Sequence, residues 1–107
     1  MSPTARSLAH LKQEGYAARV VERWNPWARI RQDLFGGDIL ALKSGEPVLI
    51  IQATSGANHA SRCTKLQAGG FINLWKESGA VIEVWSWAKK GPRGKMKRWT
   101  LRREALT

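Results

Sequence analysis

A chain of 107 residues with 18 Lys and Arg against 8 Asp and Glu carries a formal charge of +10. That length suits one domain, residues 1–107, able to bury roughly 65% of the surface its unfolded chain exposes, and 43% hydrophobic residues exclude a disordered tail. No apolar run approaches the ~18 residues of a membrane span, the N-terminus lacks a signal-peptide core, and Cys63, being alone, excludes an internal disulfide and argues against a Cys-based zinc site.

Thr4 to Glu14 reads as a helix, with Thr4 as N-cap, Ala5, Leu8, Ala9 and Leu11 as the apolar face, and Gly15 as the stop. Ala17 to Trp24 reads as one strand, which Asn25-Pro26 ends. A basic loop with Arg29 and Arg31 follows. After Gly36-Gly37, Asp38 to Leu42 forms a second strand, Ser44-Gly45-Glu46-Pro47 a hairpin turn, and Val48 to Thr54 a third strand, apolar enough for burial on both faces. Asn58 to Gln67 suits a helix. Gly69-Gly70 interrupts, and Phe71, Ile72, Leu74 and Trp75 mark another helix before Gly79. Ala80 to Trp87 and Arg98 to Arg102 are the last strands, joined by a basic loop whose tip is Gly91 to Lys95. The order αβββααββ predicts an α/β fold, a mixed central five-stranded sheet flanked by helices.

Chemistry concentrates in the hairpin. Residues two apart on a strand share a face, so Gln52 and Thr54 point together. A short turn brings the start of the second strand beside the end of the third, which puts Asp38 next to Gln52. The Asp38 carboxylate, the Gln52 amide oxygen and the Ala53 carbonyl offer hard oxygen ligands of the kind that suit Mg²⁺, with Mn²⁺ as a substitute. The plainer alternative is a turn-capping Asp38 and a Gln52 bonded within the sheet. His10 and His59 lack metal-ligand spacing, and Ser7, Ser55 and Cys63 suggest no nucleophile–base pair.

The residues GGDILALKSGEPVLIIQATS, with this order of elements, resemble the PD-(D/E)XK nuclease superfamily, most closely its archaeal-type Holliday junction resolvases from archaea and viruses. The resemblance spans the first helix to the final hairpin and implies a restriction-endonuclease-like fold. The family pattern is a helix glutamate, Pro-Asp at a strand start, and Glu-x-Lys on the next strand. Asp38 matches the aspartate with Gly37 in place of proline; Gln52 stands at the Glu, Thr54 at the Lys, and the helix glutamate falls near Thr4. The resemblance implies catalytic roles for Asp38, Gln52, Thr54 and Lys65, the last because the lysine of some relatives sits on the following helix. It implies a metal held by Asp38, Gln52 and Ala53, with Asp33 and Glu22 as sources of the missing carboxylate. Asp33 and Glu22 can equally pair with surface arginines, and Lys65 can be a solvated helix lysine.

A surface this basic attracts a polyanion, with nucleic acid foremost. Arg29, Arg31 and Lys43 are expected to flank the site, and Arg62 shares a helical face with Lys65. Lys89, Lys90, Arg93, Lys95, Lys97 and Arg98 form a second phosphate-binding arm. Trp24 and Trp27 bracket a proline turn and suit a subunit contact, and the related resolvases act as homodimers. The leading expectation is a Mg²⁺-dependent endonuclease that resolves four-way DNA junctions as a homodimer in the cytoplasm, virus-encoded or cellular. Against it stand a non-catalytic DNA-binding protein that keeps the nuclease fold, and a nuclease acting on other duplex DNA.

Overall fold

The apolar run after Pro47 becomes the middle strand of a five-stranded mixed sheet. In the computed structural model, which describes Met1–Thr107, the chain runs α1 (Pro3–Gln13), β1 (Ala17–Val20), β2 (Arg23–Asn25), β3 (Ile30–Gln32), β4 (Ile39–Leu42) and β5 (Leu49–Ser55). A short 3-10 turn then leads to α2 (His59–Ala68), α3 (Phe71–Glu77), β6 (Val81–Lys90) and β7 (Arg98–Ala105). The sheet order is β1-β4-β5-β6-β7, with β5 and β6 parallel and the other neighbours antiparallel. A parallel pair needs a long crossover, and α2 with α3 supplies it.

Alternation along the buried strands divides the core. Leu49 and Ile51 face α1 and pack with Leu11, Ile39, Ala41 and Trp85. Ile50 faces the other way and packs with Cys63, Leu66, Ile82 and Val84 beneath α2 and α3. Both faces of β5 are thus covered, which explains its unbroken apolar sequence. No helix is long and apolar enough to cross a membrane.

Three details depart from the sequence reading. The first helix starts at Pro3, not Thr4: the Ser2 hydroxyl accepts from the Ala5 N–H at 3.1 Å, and proline fits the first turn because it has no N–H to satisfy. Its buried stripe centres on Ser7 and Leu11, while Ala9 is exposed. Ser7 tolerates burial because its Oγ donates to the Pro3 carbonyl and accepts from Trp87 Nε1 at 2.9 Å.

Ala17 to Trp24 is two strands instead of one. The N–H groups of Val21 and Glu22 both turn to the Asp38 carbonyl, at 2.8 and 3.4 Å, so pairing with β4 stops after Val20. The chain then leaves the sheet and β2 pairs with β3 in a separate hairpin, its turn held by Asn25 Oδ1 accepting from the Trp27 and Ala28 N–H groups. Finally, β6 and β7 run beyond their expected ends and form a long two-stranded arm.

Candidate functional site

The register of the central hairpin builds the site. Ile39 lies opposite Ile51, and the Asp38 N–H donates to the Ile51 carbonyl at 2.8 Å, so Asp38 stands one step before β4 and beside the end of β5. Gln52 Nε2 donates to Asp38 Oδ2 at 2.7 Å, and the Ala53 N–H donates to the same oxygen at 3.2 Å. The glycine before Asp38 follows from packing. A Cβ at Gly37 would run into the Ile50 side chain, which also excludes proline.

Around Asp38 opens a polar cleft of about 330 Å³ lined by Thr4, Glu22, Arg31, Asp33, Asp38, Gln52, Ala53, Arg62 and Lys65. Five separate elements or connections converge there: α1, the β1–β2 link, β3 with the segment after it, the β4–β5 hairpin, and α2. Three acids and three bases line the cleft, yet none of the five ion pairs of the molecule joins them. Asp38 is only 6% exposed. Burial pushes its carboxyl up from 3.8 to about 6, the nearby Glu22 and Asp33 charges add to the rise, and the Ala53 N–H and Arg62 oppose it. Asp33 is fixed by accepting the Gly36 N–H at 3.1 Å, which closes the bend leading to Asp38.

The structure brings the sequence candidates Glu22, Arg31, Asp33, Arg62 and Lys65 together with Asp38 and Gln52 in this cleft, from distant segments. Thr4, the position of the family's helix glutamate, lines it as well. Thr54 is buried opposite Ser86 of β6 and is not among the lining residues. Ala53 lines the cleft, and its N–H donates to the Asp38 carboxylate. Lys43 does not flank the cleft. It follows the far end of β4, where its Nζ donates to the Glu14 carbonyl at 2.8 Å and lies 5.4 Å from the Tyr16 ring. Arg29 is exposed in the β2–β3 turn with a φ of 54°. Lys89, Lys90, Arg93, Lys95, Lys97 and Arg98 all lie at the end of the β6–β7 arm, exposed. Trp27 is 95% exposed and Trp24 55%.

A second cluster escaped sequence reading. His59 and Cys63, one turn apart on α2, meet Glu104 of β7, with a potential ligand atom from each within 4.8 Å of the others. His59 is held from both sides: Nδ1 lies 2.6 Å from Ser86 Oγ and Nε2 3.1 Å from Glu104 Oε1. The signal was a histidine and a cysteine four residues apart in a helix. Glu104, 41 positions beyond Cys63, joins them only through the β6–β7 register, which sets it opposite Val84 on the face that α2 covers.

Comparison with protein-family models, with curated proteins and with solved structures gave no match. The functional reading therefore rests on the cleft's own chemistry. Its potential metal donors are the three carboxylates and the Gln52 amide oxygen, left free because the amide turns its NH₂ to Asp38. Oxygen donors are the kind a hard divalent cation such as Mg²⁺ or Mn²⁺ takes, but Glu22, Asp33 and Asp38 do not stand as a ready-made metal cluster, a condition that His59, Cys63 and Glu104 meet.

Proposed function

We propose that the Asp38 cleft hydrolyses phosphodiester bonds, and that the protein is a metal-dependent, structure-specific DNA endonuclease acting on branched DNA such as four-way junctions. The observation that carries this reading is the unpaired set of acids and bases around a buried Asp38. Structural charges pair. A buried carboxylate without a counter-ion costs stability, and unpaired charges of both signs gathered around it mark a candidate place for a ligand.

Asp38, Glu22 and Asp33, with the Gln52 oxygen, would hold the cation. When bound, Mg²⁺ supplies charge neutralisation at the scissile phosphate and a water of lowered pKa. The remaining roles belong to the chain. Gln52 and the Ala53 N–H fix one Asp38 oxygen and leave the other toward the cleft. Arg31 and Arg62 draw in the phosphate. Lys65, on the same helix as Arg62, stabilises negative charge on the phosphate oxygens or orients the attacking water. The β6–β7 arm, with its basic end, adds sequence-independent contacts to flanking backbone. A second copy is proposed to dock through the exposed apolar surface carrying Ile30, Phe35, Phe71 and Leu74, with Trp24 and Trp27 on the neighbouring hairpin.

The test is a nicking assay on a labelled four-way junction and a matched linear duplex, with Mg²⁺, Mn²⁺ or chelator. Metal-dependent cutting that prefers the junction is expected. Equal cutting of both substrates would move the reading to a general duplex nuclease. A specific observation favours the non-catalytic alternative: Gln52 already occupies Asp38 Oδ2 and Thr54 leaves the lysine position of the strand without a charge. Salt-sensitive junction binding with no cutting in either metal would establish it.

A further inference from the structure

The His59, Cys63 and Glu104 cluster lies outside the cleft and uses different donors. Its donor atoms are an imidazole nitrogen, a sulfur and a carboxylate oxygen, all within 4.8 Å of one another. Ser86, itself buried, lies 2.6 Å from His59 Nδ1 and holds the ring with Nε2 toward the Glu104 carboxylate. A ligating imidazole is ordinarily oriented in this way through its other nitrogen. The two edges differ in access. His59 and Cys63 are buried, whereas the Glu104 side chain is 41% exposed, so the carboxylate side faces solvent.

We infer that His59 Nε2, Cys63 Sγ and a Glu104 carboxylate oxygen bind a zinc-class transition-metal ion, with water at the fourth position on the solvent side. Thiolate and imidazole select such ions over Mg²⁺ and Ca²⁺. Binding replaces the two hydrogen bonds that His59 and Cys63 make to Glu104 and removes one proton. The Cys63 thiol releases its proton to solvent as the Sγ–metal bond forms. Before metal binds, the neutral His59 donates its Nε2–H to Glu104 and accepts the Ser86 hydroxyl at Nδ1. On binding, that proton shifts to Nδ1, which then donates to Ser86 Oγ, and the Nε2 lone pair is freed. Metal then stands where the Nε2–H to Glu104 hydrogen bond stood. Arg102 Nη2, 3.5 Å from Glu104 Oε1, competes for one carboxylate oxygen and leaves the other. An occupied site would tie α2, which carries Arg62 and Lys65, to the edge strand β7.

The experiment titrates Co²⁺ into the reduced full chain in excess Mg²⁺ and follows the thiolate-to-cobalt charge-transfer absorbance. Cys63 is the chain's single thiol, so the all-oxygen cleft is silent in this readout. The expected result is a band that saturates at one equivalent, is displaced by Zn²⁺, and is lost in Cys63→Ser. Glu104→Gln and Ser86→Ala should each weaken binding by about 10–100-fold. Asp38→Asn should leave the titration unchanged, whatever the fate of the nuclease reading. Circular dichroism confirms that each variant is folded. No saturable band, or a band that persists unweakened in both Glu104→Gln and His59→Gln, would overturn the site.

Discussion

Two polar clusters draw on α2, one through Arg62 and Lys65 and the other through His59 and Cys63, and they treat charge in opposite ways. Around Asp38, three acids and three bases share a cleft without pairing, and the central carboxyl is pushed up to about 6. Around His59, every polar contact is closed: Ser86 on one nitrogen, Glu104 on the other, and hydrogen bonds from His59 and Cys63 that hold the Glu104 carboxyl below its ordinary range. A buried carboxylate without a counter-ion stores free energy, and a buried imidazole bonded at both nitrogens locks a geometry. The first arrangement suits a site awaiting a cation and a phosphate. The second suits a joint between α2 and β7.

The comparison breaks most readily at Lys65. If the cleft's bases act on a phosphate, Lys65→Ala should lower the nicking rate by about 10²-fold with little change in stability. A stopped-time junction assay beside a thermal melt separates those effects. An unchanged rate would return Lys65 to the solvated surface.

Asp38 provides the thermodynamic counterpart. Its folded-state value is raised from 3.8 to about 6, so the stability it contributes is fully present below about pH 3.8 and is lost as the pH rises through 6. Asp38→Asn removes that loss. In chelator at pH 8 the variant should be more stable than the parent by on the order of 2–3 kcal/mol, and near pH 3.5 the difference should vanish. Denaturant unfolding at the two pH values reads both. A destabilised variant at pH 8 would mean that Asp38 is a structural cap.

At the closed cluster the sign reverses. Ser86→Ala strips a buried imidazole nitrogen of its partner and should cost about 1–3 kcal/mol at neutral pH, measured the same way. The smallest effect belongs to the arm. Lys95→Ala and Lys97→Ala should each lower the slope of log binding constant against log salt by about 1, without changing the preference for a junction over duplex.

How much of this was legible follows from the range of the contacts. The β4–β5 hairpin could be read because its turn residues, apolar strand and Asp38 lie within one short stretch, and strand periodicity alone places Gln52 beside that acid. The split of Ala17 to Trp24 could not be, because it depends on two N–H groups sharing the Asp38 carbonyl. Lys43 was misplaced for a related reason. Nearness to Asp38 in sequence hid the length of the intervening strand, and a carbonyl at the end of α1 claims its ammonium. The burial of Ser7 was not legible either, because its partner Trp87 lies 80 residues away. The His59 cluster needed the same long-range register, here between β6 and β7.

The central claim is that Asp38 is where the metal-dependent cut is made, and Asp38→Asn in the junction-nicking assay tests it most directly. With parent and variant at matched concentration in Mg²⁺ and in Mn²⁺, the variant should lose at least about 10³-fold in rate while still binding the junction. Nicking by the variant at the parent rate would contradict the account.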